Sequence, residues 1–92
     1  MSAIADQARP RLPRGVRLRH DKTRDAWMLL GPERLVLPDE TALEVLRRCD
    51  GERTVAAIVT ELARSYEAEP AEIRSDVAGF LQDLLDQRMI EL

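Results

Sequence analysis

Residues 26–46 read AWMLLGPERLVLPDETALEVL, and they decide the fold because the spacing of the apolar residues changes within them. Before Pro38, two short apolar runs flank the turn-forming Gly31-Pro32-Glu33, which predicts strands at Ala26–Leu30 and Arg34–Leu37. After Pro38 the apolar residues follow the 3.6-residue period of a helix, and Asp39 is a good N-cap for it. The chain therefore passes from a sheet to helices at this proline.

One more strand is expected before this stretch. Apolar and polar side chains alternate with a period of two over residues 16–21, and the polar residues 21–25 are typical of a turn. Three strands with such short connections predict an antiparallel meander, in which consecutive strands pair.

Three helices are expected after the sheet. The first, which follows Asp39, stops at Asp50-Gly51, and Thr54 caps a second whose apolar stripe ends at Tyr66. Glu69-Pro70 begins a third helix that runs to Gln87, because proline is tolerated in a first turn. Residues 88–92 then form a short strand or an extended tail. The predicted fold class is α+β, a winged helix-turn-helix-like arrangement with an N-terminal three-stranded antiparallel sheet followed by three helices.

The composition is that of one small globular domain. The chain has 92 residues, of which 45% are hydrophobic and 34% charged. We expect residues 1–12 to be a flexible N-terminal lead-in and residues 13–92 to be a single domain. No apolar run reaches the roughly 20 residues of a membrane span, and no secretory signal is apparent, so we expect a cytoplasmic protein without membrane contact.

Catalytic chemistry is not indicated. Cys49 is the only cysteine and His20 the only histidine, and the two lie on different predicted elements. No glycine-rich phosphate loop is present, and Cys49 is expected to be a small buried residue. We therefore predict that the protein is not an enzyme and has no catalytic residue, cofactor or metal ion.

DNA binding is the alternative that a winged helix suggests. Residues 1–24 hold seven basic and two acidic side chains, whereas residues 25–92 hold seven basic and fifteen acidic ones. The third helix, which would enter the major groove, has only Arg74 against Glu72, Asp76, Asp83 and Asp86. Because a DNA backbone favours basic surfaces, we predict no nucleic-acid partner.

Peptide recognition fits the same pattern better. The strand Arg34–Leu37 is the last of the meander and so an edge, and an edge strand is either protected or used for pairing with another chain. The apolar face of the third helix is broader than one core contact requires. An extended peptide would then add a strand to the edge and rest against that helix.

The residues also resemble those of a known family, the PqqD family of peptide chaperones. The resemblance runs from about residue 10 to residue 92 and is specific because many short motifs occur in order. The motifs are Pro10-Arg11-Leu12, Gly15-Val16-Arg17-Leu18, Asp21, Arg24, Trp27 to Arg34, Ala42, Leu46, Cys49-Asp50-Gly51, Thr54-Val55, Asp76-Val77, Phe80-Leu81 and Leu84.

The resemblance implies a role and a site. PqqD proteins bind the ribosomal precursor peptide of pyrroloquinoline quinone (PQQ) and present it to a radical SAM enzyme, which cross-links a glutamate and a tyrosine. Carried over by position, the peptide-binding residues would lie on the third strand and the last helix. They are Arg34, Leu35, Val36, Leu37, Arg74, Val77, Phe80, Leu81 and Leu84. The sequence does not separate those that face the peptide from those that face the core.

Overall fold

The computed structural model describes residues 4–92. In chain order the elements are β1 (Arg17–Asp21), β2 (Ala26–Leu30), β3 (Leu35–Val36), α1 (Glu40–Arg47), α2 (Val55–Ser65) and α3 (Pro70–Asp86). The strands form one antiparallel sheet in the order β1-β2-β3, so the predicted sheet followed by three helices is confirmed.

The strand β3 is shorter than predicted. The expected strand was Arg34–Leu37, whereas only Leu35 and Val36 pair with β2. The next residue that would exchange hydrogen bonds with β2 in this register is Pro38, which has no N–H to donate. Proline therefore ends the ladder.

Two of the three helices begin at the side chains that the sequence predicts as caps. The carboxylate of Asp39 accepts the Ala42 N–H at 2.8 Å, and the Thr54 hydroxyl accepts the Ala57 N–H at 3.1 Å. Pro70 lies in the first turn of α3, where no helical acceptor is available for a backbone N–H. The end of α1 comes earlier than expected, because the Cys49 N–H bonds to the carbonyl of Leu46 in a tighter final turn.

The core lies between the sheet and the helices. Leu29 on β2, Ile58 and Leu62 on α2, and Leu81 and Leu84 on α3 are almost completely buried in it. Val36 and Leu18 pack against this cluster from the flanking strands. The helices thus cover one face of the sheet, here called the inner face.

Residues 4–12 differ from the expected flexible lead-in. Ile4 and Pro10 are buried, and the carbonyls of Asp6 and Ala8 accept the N–H groups of Ala56 and Val55 in the first turn of α2. Because these contacts join the segment to residues far along the chain, no local periodicity predicts them. The prediction is corrected for residues 4–12, which belong to the domain; residues 1–3 lie outside the described residues.

The chain's last residues pair with this N-terminal segment. Arg11 and Glu91 exchange two backbone hydrogen bonds of 2.9 Å, and Met89 and Ile90 are buried. The predicted short terminal strand is therefore a single antiparallel bridge. None of the helices over residues 4–92 has the length and apolar character that crossing a lipid bilayer requires.

Candidate functional site

The free edge of β3 presents backbone groups that no other strand of the sheet uses. The Gly31 N–H donates to the Arg34 carbonyl at 2.9 Å, so these two residues form a hydrogen-bonded pair across the β2–β3 turn. Antiparallel pairs alternate, and in the observed register Leu30 and Leu35 therefore form a non-hydrogen-bonded pair. The N–H and C=O of Leu35, and by the same alternation those of Leu37, consequently point away from β2.

The side chains at this edge are unusually apolar for a surface. Leu35 is 55% exposed and Leu37 is 64% exposed. Leu35 lies opposite Leu30 on the outer face of the sheet, while Val36 lies opposite Leu29 on the inner face. The edge thus combines free backbone groups with exposed leucines, which is the chemistry of a strand that accepts another strand.

A depression of about 330 Å³ lies beside the chain that follows β3. Its floor is apolar and its rim carries two aspartates. The lining residues come from the start of α1, from α2 and from α3: Asp39, Thr41, Ala42, Val45, Leu62, Ile73, Asp76, Val77 and Phe80. This depression, here called the acidic end, has the size and lining of a pocket for an apolar side chain.

A second depression of about 350 Å³ lies beside the turn that precedes β3. It is more polar and is bounded by the end of α3. The lining residues are Pro13, Arg14, Val16, Pro32, Glu33, Arg34, Asp86, Gln87, Arg88 and Met89. We call this depression the basic end, because three arginines and two carboxylates line it.

The two depressions lie near the two ends of β3 and both are lined in part by α3; together they are here called the groove. The basic end joins Arg34 to Asp86, and the acidic end joins Asp39 to Asp76, so α3 runs antiparallel to β3. From Arg34 to Asp39, five strand residues advance about 17 Å; from Asp76 to Asp86, ten helix residues advance about 15 Å, so the two segments have similar lengths. A strand of about five residues added to β3 would span the distance between the two depressions.

The structure divides the predicted site residues into two groups. Arg34, Leu35 and Leu37 are exposed at the edge, and the half-buried Phe80 lines the acidic end. By contrast, Val77, Leu81 and Leu84 are 2%, 0% and 2% exposed and belong to the core. Val36 likewise packs on the core. Among these core residues only Val77 lines one of the two depressions.

Arg74 has an intramolecular partner. Its guanidinium donates to Asp6 Oδ1 at 2.6 Å and to the Ile4 carbonyl at 2.9 Å. The resemblance placed Arg74 among the peptide-binding residues, but here it fastens the N-terminal segment to α3. The arginines that line the groove are Arg14, Arg34 and Arg88. Sequence reasoning missed Arg14 and Arg88 because both lie outside the third strand and the last helix, the two elements to which the site was assigned.

The lone cysteine and histidine have structural surroundings. Burial raises the pKa of Cys49 to about 12, and its Sγ–H donates to the Val45 carbonyl at 3.3 Å. His20 Nε2 lies 3.0 Å from an Asp25 carboxylate oxygen, and its ring is 5.0 Å from that of Trp27. Within residues 4–92, no group of three or more His, Cys, Asp or Glu side chains is arranged to hold a metal ion.

Comparison with known proteins gives one family. The family described as "Coenzyme PQQ synthesis protein D (PqqD)" matches residues 26–90. A protein of Rhodopseudomonas palustris named "PqqA binding protein" is 51% identical over 85 residues, which cover 92% of this chain and 83% of the relative. A protein of the same name from Xanthomonas oryzae pv. oryzae is 47% identical over 92 residues and the full length of both chains.

Solved structures agree with the sequence relatives. The solution NMR structure of the PqqD truncation of Methylobacterium extorquens PqqCD, a recognition element for ribosomally synthesized and post-translationally modified peptides, superposes with a TM-score of 0.83. It is 42% identical, and the match covers 99% of this chain and 97% of that one. The crystal structure of PqqD from Xanthomonas campestris is 41% identical with a TM-score of 0.62, over 98% and 100% of the two chains. The chain therefore belongs to the PqqD family, as the resemblance of its motifs implied.

Proposed function

We propose that this protein is a peptide chaperone of PQQ biosynthesis that binds the precursor peptide PqqA by strand addition to β3. One observation carries the proposal: the N–H and C=O groups of Leu35 and Leu37 point away from β2, and a depression lined in part by α3 lies near each end of this strand. The names of the relatives, which are PqqA binding proteins, supply the identity of the guest.

The proposed mechanism is presentation without catalysis. Main-chain hydrogen bonds to Leu35 and Leu37 would order a disordered peptide, and an apolar anchor in the acidic end would set its register. Ordering a flexible peptide offsets part of the interaction energy, so affinity depends on these few contacts. Neither Cys49 nor His20 lies among the residues that line the two ends of the groove, which supports a binding protein over an enzyme. Because the guest is made on ribosomes, we place the activity in the cytoplasm.

We further propose that the bound peptide is delivered to a radical SAM enzyme that docks on the outer face of the sheet. Arg17 and Arg19 are exposed there, opposite the half-buried Leu30 and Met28. A peptide added to β3 would extend this same face, so one enzyme surface could contact both. The charge reversals Arg17→Glu and Arg19→Glu should weaken enzyme binding and leave peptide affinity unchanged, whereas Arg64→Glu on exposed α2 should change neither. If Arg17→Glu or Arg19→Glu weakened peptide binding, the assignment of enzyme and peptide to separate surfaces would be contradicted.

The experiment that tests the site is NMR titration of the ¹⁵N-labelled protein with PqqA. Amide shifts should concentrate at residues 34–37 and beside Phe80, with small changes over Arg17–Asp21. The largest shifts on β1 or on the exposed side of α2 would overturn the proposed location. Isothermal titration calorimetry on the same samples gives the affinity.

DNA binding has less support. The face of α3 that would meet DNA has Glu72, Asp76, Asp83 and Asp86, and the single arginine of that helix is paired with Asp6. A phosphate backbone would be repelled by this surface. Retention of duplex DNA in a gel shift at physiological salt, with dependence on base sequence, would favour the alternative.

A further inference from the structure

The charges at the two ends of the groove differ in sign. Arg14, Arg34 and Arg88 line the basic end together with Glu33 and Asp86. At the acidic end the charged lining residues are Asp39 and Asp76, and no basic side chain accompanies them. The groove is therefore polarised along the direction of β3.

The arginines of the basic end are available to a ligand. In the described part of the chain, Arg14, Arg34 and Arg88 have no carboxylate within ion-pair distance. Among residues 4–92, several other arginines are paired, as Arg48 is with Glu44 at 3.0 Å, whereas Arg17 and Arg19 on the outer face are likewise unpaired. Of the two carboxylates at this end, Asp86 already accepts a hydrogen bond of 2.9 Å from the Gln82 side chain. The net attraction at this end is thus for a negative charge.

The carboxylates of the acidic end sit above an apolar floor. Asp39 uses one oxygen to cap α1, and Asp76 is exposed on the surface of α3. The floor below them includes Val45, Leu62 and Val77. A side chain that is apolar along its stem and positive at its tip, such as lysine or arginine, satisfies both parts.

We infer that the groove selects a peptide segment with a negative charge toward Arg34 and a positive charge toward Asp39, and so fixes the direction of the added strand. This inference rests on the proposed binding of a precursor peptide at β3. Backbone pairing alone accepts a strand in either direction, because both parallel and antiparallel ladders form. The opposite charges at the two ends distinguish the two directions, since reversing the peptide turns two attractions into repulsions.

The expected effect is moderate, because both ends are open to solvent. An exposed ion pair changes affinity by up to about fivefold, so reversal of both ends should change it by roughly tenfold or more. The effect should shrink as salt is added, with a screening length of about 8 Å at physiological ionic strength.

The test uses the PqqA segment that NMR locates on β3, flanked by charged pairs. Four peptides carry Glu-Glu or Lys-Lys at the two ends in all combinations, and calorimetry gives their dissociation constants. One of the two mixed peptides should bind tightest, the opposite mixed peptide should bind weakest by about tenfold, and the two single-sign peptides should lie between.

The second part of the test uses a protein variant in which the charge of the basic end is reversed. The double variant Arg14→Glu, Arg34→Glu makes both ends acidic, so the peptide with Lys-Lys at both ends should become the tightest. The matched control Arg9→Glu, Arg64→Glu reverses two exposed arginines that line neither depression and should keep the original order. If PqqA binds at β3 but the four peptides agree within twofold, the inference is wrong and the proposed function stands. Failure of unmodified PqqA to bind at β3 would instead remove the proposed function.

Discussion

The two edges of the sheet, β1 and β3, differ in length and chemistry. Every residue of the five-residue β1 pairs with β2, and β1 exposes Arg17 and Arg19. The two-residue β3 exposes Leu35, followed by Leu37, and its ladder ends at Pro38. Charged side chains are a common protection of an edge against unwanted pairing, and apolar ones are not. The contrast supports the proposal that the peptide adds to β3 and not to β1.

The neighbours of β3 add to the difference. The helix α3 lines a depression near each end of β3. An added strand would therefore gain side-chain contacts as well as backbone bonds at this edge. This is why we propose the shorter strand, β3, as the docking edge.

The largest expected effect concerns the core under the groove. Leu81→Ala removes a fully buried side chain of α3 and should lower the free energy of unfolding by about 2–5 kcal/mol. Urea denaturation followed by circular dichroism measures this change in the free energy of unfolding. A loss of peptide affinity without a loss of stability would show that Leu81 faces the peptide, contrary to its burial.

The direct comparison of the two edges uses proline at equivalent positions. Leu35→Pro removes an N–H that points to the free edge of β3, so the β2–β3 ladder should survive while PqqA affinity falls about tenfold to a hundredfold. His20→Pro removes the corresponding N–H at the β1 edge and should leave PqqA affinity unchanged, although it also removes the ring contact with Trp27. Calorimetric titration of both variants with PqqA measures these affinities. An equal loss of affinity in the two variants would show that the peptide does not distinguish β3 from β1.

A smaller effect is expected at the wall of the groove. Phe80→Ala shortens a half-buried side chain of the acidic end and should weaken PqqA binding about three- to tenfold. Its effect on unfolding should be smaller than that of Leu81→Ala, since Phe80 is only partly buried. Unchanged affinity in the titration would place the peptide away from α3.

The smallest expected effect is on the pH dependence of stability and concerns Asp50, in the loop between α1 and α2, far from both edges of the sheet. Backbone hydrogen bonds from Arg53 and Glu52 lower the pKa of the Asp50 carboxyl below its ordinary value of 3.8. The carboxylate therefore stabilises the native state above the unfolded-state pKa, and this contribution is lost as the pH falls through the lower folded-state pKa. Asp50→Asn should reduce stability at neutral pH and flatten its decline in acid, without changing PqqA affinity.

Local sequence predicted most of the secondary structure. Asp39, Thr54 and Pro70 mark helix starts by short-range chemistry, and the period-two pattern of residues 16–21 marks β1. The position of β3 at an edge of the sheet was also predicted, because strand order in a meander follows chain order. Family resemblance, and not the pattern, supplied the nature of the guest.

Contacts between distant residues were decided only by the tertiary structure. The pairing of Arg74 with Asp6 and the bridge between Arg11 and Glu91 join positions that have no common periodicity. The same holds for the polarised groove, whose arginines come from three separate segments. Helix caps, turns and strand patterns depend on neighbours within a few residues, so the sequence alone determines them. Groove shape and charge depend on which helix face turns inward, and packing of the whole core determines that.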